Sequence, residues 1–176
     1  MRKREIKRAS GIVFIIIFVF FAGCGYRPNA TYAQEVAGAS VSVQIVISAV
    51  NPQNTVLIKD AVSKAVIENF RTRLTNSADA ATRLRVKLQS VSYYPIQYNA
   101  NGYIISYRMR TVLLITMFHN GKSKKYTEQG IYDFSIEPNA IISNQLRITA
   151  IKNSATKAIR AFVAQISAVG VRKDEK

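Results

Sequence analysis

The pattern of apolar and polar positions divides the chain into a leader and one folded region. Ile12 to Ala22 form an apolar run behind a basic start, in which Arg2, Lys3, Arg4, Lys7 and Arg8 stand against Glu5 alone. A charged beginning, a short apolar stretch and a small-residue end are the parts of a secretory signal peptide. The run is too short for an ordinary membrane-spanning helix, which needs about 20 residues. Further on, Val41 to Ala49 alternates apolar and polar positions, which predicts a first strand. Asn51-Pro52 offers a cap and a first-turn proline, and Asn54 is a competing cap. Ile58, Val62, Val66, Phe70 and Leu74 then recur every four residues, with Ala61 and Ala65 beside them. That spacing predicts an amphipathic helix of about five turns, with Arg71 and Arg73 near its C-terminal end.

After a polar connection at residues 75–81, Arg83 to Tyr93 reads as a second strand. Leu84, Val86 and Leu88 share one side of it, and Arg83, Arg85 and Lys87 the other. Pro95 is expected to end that strand or bend its edge. Asn99-Ala100-Asn101-Gly102 is a turn, and Tyr103 to Phe118 a long third strand. His119-Asn120-Gly121-Lys122 is an Asn-Gly hairpin signal, returning as a fourth strand over Lys124 to Phe134. Pro138 and Asn139 open the last helix, whose stripe is Ile148, Ile151, Ala155, Ile159, Phe162 and Ile166, with Gly170 as the residue after its end. The order β-α-β-β-β-α predicts an α+β fold: a mostly antiparallel four-stranded sheet with two helices packed on one face.

The only cysteine of the chain, Cys24, stands at the end of the leader. Phe21-Ala22-Gly23-Cys24 resembles the lipobox of bacterial lipoproteins, in which cleavage precedes a cysteine whose thiol carries a diacylglycerol. Acyl chains on Cys24 would supply the several signals that stable membrane attachment needs. Gly25 follows, not the Asp that retains many lipoproteins at the inner membrane, so the sorting analogy points to the outer membrane. The expected organisation is a signal peptide over residues 1–23, a lipidated start and tether over 24–40, one domain over 41–170, and a charged tail over 171–176.

Charge changes the picture next. The full sequence has 25 Lys+Arg against 10 Asp+Glu. Residues 1–23 hold five of the basic and one of the acidic residues, leaving 20 and 9, a formal net charge of +11. Such a charge speaks to partners: nucleic acid, anionic lipid or glycolipid, or an acidic protein surface. An exported protein is expected to meet the latter two and no nucleic acid. With Cys24 lipidated, no thiol remains for a disulfide or a metal, and no cofactor is expected beyond the covalent lipid.

A catalytic site is not legible. His119 is the sole histidine and lies beside a tight turn. The chain has no Gly-x-Ser-x-Gly elbow, no His-Glu-x-x-His and no phosphate-cradling glycine loop. Asp60 with Glu68, and Asp133 with Glu137, form no obvious acid–base pair, and no metal-ligand cluster appears. The chain is expected not to be an enzyme. What stands out is a basic face: Arg83, Arg85 and Lys87 beside Arg108 and Arg110, with Lys122, Lys124 and Lys125 at the turn. It reads either as a solvated sheet face or as a platform for phosphate or carboxylate groups, which arginine binds bidentately. Uncompensated like charges across strands favour the second reading. Tyr93, Tyr94, Tyr98, Tyr103 and Tyr107 gather around residues 95–102, either packing on the sheet or lining a contact with protein or glycolipid.

Four stretches carry a resemblance: Cys24-Gly25-Tyr26-Arg27, Asn51-Pro52 before the first helix, the Gly102 to Met109 segment with Tyr107, and the Phe134 to Asn144 approach containing Pro138. In these the chain resembles the lipopolysaccharide-assembly lipoprotein family, whose members plug the outer-membrane lipopolysaccharide-assembly β-barrel. The resemblance implies a helix-backed sheet inside the barrel lumen, anchored by lipid in the outer membrane and facing the periplasm. It further implies help in barrel assembly and contact with lipopolysaccharide during delivery to the surface. In some members, basic residues before the third strand and at the start of the last helix contact lipopolysaccharide. Here those stretches read Asn99-Ala100-Asn101 and Ser143-Asn144, without a charge, so Cys24 alone is carried over. The alternative is a periplasm-facing lipoprotein of other function, an enzyme with an unrecognised site or a generic binder of anionic ligands.

Overall fold

The computed structural model describes residues 36–38, 40–47, 52–70, 73–75, 79–138 and 140–174. The signal peptide, Cys24, the tether as far as residue 35, the Asn51 cap and the position of Arg71 lie outside the described residues. Five strands form one sheet: β1 (Ser40–Val46), β2 (Arg73–Leu74), β3 (Thr82–Tyr98), β4 (Ile104–His119) and β5 (Lys122–Ser135), in the spatial order β2-β1-β3-β4-β5. Among the described residues α1 (Pro52–Phe70) and α2 (Asn144–Asp174) pack on it. The α+β class follows the periodicities, and so does the element order apart from the two-residue β2, which makes the expected four-stranded sheet five-stranded. The sheet is mixed, because β1 runs parallel to β2 and β3, while β3, β4 and β5 form an antiparallel meander. Parallel neighbours need a crossover, and α1 supplies it.

Both helices cover one face. Leu84, Val86 and Leu88 of β3, Met109, Leu113 and Ile115 of β4, and Tyr126 and Phe134 of β5 are buried beneath them. From the helices come Ile58, Val62, Val66 and Phe70, and Ile151, Ile159, Phe162 and Ile166. Phe162 lies at the centre, its ring 6.1 Å from that of Phe70 and 5.0 Å from that of Tyr126. At Gly130 of β5 a Cβ would fall on the Ser154 carbonyl and press on the Ala158 nitrogen, so the absence of a side chain lets α2 settle onto the strand. Beside it Thr111 and Ser154 share a buried hydroxyl–hydroxyl hydrogen bond of 2.6 Å.

Several boundaries differ from the periodicity. Leu74 lies at helical spacing from Phe70 but belongs to β2, where it pairs with Val41, and Thr75 N–H donates to the Val41 carbonyl. The first strand is described as far as Val46, and the Ser48 and Ala49 end of its predicted span lies outside the described residues. Pro95 does not end β3, which runs on to Tyr98. Beyond Lys87 β4 is the neighbour that the described residues give that strand, so a residue without an N–H is tolerated on its other edge. The last helix begins at Asn144, not near Pro138, with the Ser143 hydroxyl accepting from Leu146 N–H as its cap. It also passes through Gly170 to Asp174.

Candidate anionic-ligand face of the sheet

Sheet geometry sorts the basic residues. Side chains alternate along a strand, so with Thr82, Leu84, Val86 and Leu88 turned to the helices, Arg83, Arg85 and Lys87 project from the uncovered face. Arg108 and Arg110 of β4 point the same way, between Met109 and Thr111 of the core side. The five thus share one face, as expected, but they do not sit side by side. Arg83, Arg85 and Lys87 pair across to Phe118, Thr116 and Leu114, whereas Arg108 and Arg110 pair with Tyr94 and Ser92. Four residues of strand, about 13 Å, separate the two groups along β4. The reason is the long overlap of β3 and β4, which starts from the far Asn99–Tyr103 turn.

The expectation that these charges are uncompensated fails at Arg108. Its Nε and Nη2 donate to the two carboxylate oxygens of Asp133 on β5, both at 2.7 Å. This pair holds the Asp133 carboxyl below the usual carboxylate range, chiefly through that hydrogen bond, and makes the Arg108 guanidinium still harder to deprotonate. Asp133 was legible as an acid near a strand end, but only the β4–β5 register places it opposite Arg108.

Arg83 and Arg85 are different. Among the described residues neither is within ion-pair distance of a carboxylate. Both guanidiniums lie against one ring, Arg83 at 5.8 Å and Arg85 at 5.5 Å from the Phe118 centroid. A cation near an aromatic face is attracted by its quadrupole, and here one ring serves two cations. The two arginines, Phe118, Ser42, Gln44 and Thr75 line an open cleft of about 390 Å³. Arg85 Nε reaches Gln44 Oε1 at 3.4 Å. A second hollow of about 370 Å³ adjoins it across Arg83 and Phe118 and reaches Lys122. Phe118 escaped the sequence reading, since its place between the arginines depends on a register offset that no local motif announces.

Of the turn lysines, Lys122 and Lys125 are exposed, and Lys124 lies over the Tyr126 ring at 5.2 Å. Lys124 pairs with core-side Met117, so the pleat turns it to the helix side, away from the arginines. His119 takes a structural place: its Nδ1 is 2.7 Å from Thr82 Oγ1, and that hydroxyl donates to the Ala37 carbonyl. The pair ties the incoming chain at Val36–Gly38 to the end of the sheet. Tyr107 stacks on Phe134 at 5.9 Å and meets Tyr93 edge-on at 5.7 Å, while Tyr94, Tyr98 and Tyr103 are exposed. Among the described residues no group of three or more His, Cys, Asp or Glu could hold a metal, and no helix is long and apolar enough to cross a membrane.

No family model matches the chain, and neither does any curated protein. Solved structures do resemble it. A Caulobacter crescentus protein described as a candidate lipoprotein is 10% identical, with 81% of this chain and 98% of that chain covered and a TM-score of 0.51. The minor lipoprotein of Acinetobacter baumannii is 12% identical, covering 74% and 91%, with a TM-score of 0.47. Rare lipoprotein B from Shewanella oneidensis is 12% identical, covering 77% and 93%, with a TM-score of 0.42. At these identities the likeness concerns fold, and it is carried by the first.

Proposed function

We propose that this protein is a lipid-anchored accessory of the outer-membrane lipopolysaccharide-assembly β-barrel, sitting in its lumen as a plug and contacting lipopolysaccharide during delivery. It acts by binding, without turnover. The observation that carries this reading is the sheet face left bare by the helices. Val112, Leu114, Phe118 and Ile131 are only half-buried there, interleaved with Arg83, Arg85, Lys87, Arg110 and Lys125. A sheet packed on one side is ready to take a partner wall on the other, and apolar groups among cations suit a polar, acidic lumen or a phosphorylated glycolipid. The lipobox-like Cys24 and the family resemblance support the barrel as that partner. Arg83 and Arg85 at the Phe118 cleft, with no carboxylate at ion-pair distance among the described residues, favour one second reading, a lipoprotein that binds anionic ligands without any barrel.

Affinity purification of the tagged protein from detergent-solubilised membranes tests the proposal. A large β-barrel in stoichiometric amount is expected, lost when Lys87→Glu and Arg110→Glu are combined while the circular dichroism spectrum is unchanged. A protein recovered alone overturns the plug reading and leaves the second.

A further inference from the structure

The charge of the sheet is distributed by end as well as by face. From Gln89 to Tyr107 the chain has no charged residue, so the β3–β4 hairpin at its Asn99–Tyr103 end carries no charge and is rich in tyrosine. At the other end lie Arg83, Arg85, Lys122, Lys124 and Lys125, together with the point where the chain enters the fold. Val36–Gly38 are fixed there, with Ala37 fully buried and its carbonyl bound by Thr82. Twelve residues lead from Cys24 to Val36, at most about 43 Å of chain. A lipid on Cys24 therefore keeps the basic end, more closely than the tyrosine end, within reach of a membrane surface.

We propose that the cleft formed by Arg83, Arg85, Phe118, Ser42, Gln44 and Thr75 binds the phosphate of an anionic glycerophospholipid in the leaflet that holds the anchor. This deepens the reading above and rests on its lipid-anchored part, not on the barrel. Two guanidiniums converge on the cleft, with no carboxylate between them among the described residues, and planar forked donors match phosphate oxygens. The Ser42 and Thr75 hydroxyls and the Gln44 amide are short donors suited to the remaining oxygens or to a glycerol headgroup. The Phe118 ring between them is the apolar floor on which the start of an acyl chain can lie. Two like charges two residues apart on one strand repel, and a bound anion removes that cost. The site supplies a second membrane signal next to the first, the combination that makes lipid anchoring firm.

The test uses the whole protein purified from membranes in detergent, titrated with short-chain phosphatidylglycerol and followed by native mass spectrometry. One saturable adduct is expected. It weakens by about tenfold or more in Arg83→Gln/Arg85→Gln, as losing two charges near an anionic group requires. It is unchanged in Lys152→Gln/Arg160→Gln, which removes the same charge from exposed positions on α2. Equal binding of short-chain phosphatidylcholine overturns the proposal, as does an equal loss in the α2 variant. Inorganic phosphate binding as tightly as the lipid reduces the site to a free-phosphate site and overturns the lipid assignment. Displacement of the adduct by lipopolysaccharide at equal concentration hands the cleft to the glycolipid and also overturns it. The barrel is scored separately in the same preparation: a barrel without the adduct sinks this inference alone, and the adduct without a barrel sinks only the plug.

Discussion

On one side of β5, Tyr126, Gly130 and Phe134 lie buried under α2; on the other, Lys125, Gln129 and Asp133 stand in the open. Residues of one strand, alternating by one position, are thus held to different standards. On the covered side the fit is decided by fractions of an ångström, because interiors are packed as densely as crystals. On the open side the same strand tolerates charge and length. The two carboxylates of β5 make the point most compactly. Glu128 faces the helix side and burial raises its pKa, whereas Asp133 faces outward and Arg108 lowers its own.

The contrast is broken most severely at Gly130. Gly130→Val places carbon where the α2 backbone already is, and backbone cannot yield as a flexible side chain can. A loss of about 4 kcal/mol or more is expected, seen as the absence of a cooperative urea transition. A native-like transition would mean that α2 does not rest on this strand. Phe162→Ala comes next, removing a fully buried ring that touches Phe70 and Tyr126. Its expected cost is about 3–5 kcal/mol by urea denaturation. Lys125→Gln on the open side of β5 should stay within about 0.5 kcal/mol in the same assay.

The smallest effects are the most discriminating, because their signs differ. Glu128 has a raised pKa in the folded state, so its contribution is fully present below the ordinary carboxyl range and is lost as pH rises through the raised value. Glu128→Gln should flatten that part of the stability curve and leave the protein slightly more stable at neutral pH. Asp133 has a lowered pKa, so its contribution is present above about pH 4 and is lost as pH falls through the depressed value. Asp133→Asn should weaken the protein at neutral pH and flatten the acid limb instead. Thermal midpoints over a pH series read both, and curves that move in the same direction would contradict the assignment of the two carboxylates to opposite faces.

Much of this was written locally. The Asn120-Gly121 turn adopts the positive φ angles of 48° and 71° that its dipeptide promises, and the four-residue stripe from Ile58 to Phe70 became α1. Arg83, Arg85 and Lys87 face away from the core because Leu84, Val86 and Leu88 must face it. Other features are set by partners distant in sequence. Leu74 fits a helix or a strand alike, and Val41, thirty-three residues earlier, decides for the strand. Pro138 is an acceptable helix opener, but the Ser143 hydroxyl has the backbone N–H to cap. The site suffered most. Asp133 against Arg108 follows from the β4–β5 register, which runs without a shift but joins residues twenty-five apart. Phe118 beside the two arginines follows from the β3–β4 register, and three shifts between Leu88 and Tyr98 keep that pairing from being counted back from the Asn99–Tyr103 turn.

The length of that irregular hairpin carries one more consequence. The sixteen residues of β4, at roughly 3.3 Å each, extend about 50 Å from the His119 end to the Ile104 end. A bilayer with its headgroups is about 40–45 Å thick. If the plug reading holds and the strands stand upright from the anchored leaflet, the hairpin would span about the thickness of the membrane and its tyrosine turn would reach the height of the opposite leaflet. Shortening the hairpin by a few residue pairs would then lower that turn into the middle of the bilayer.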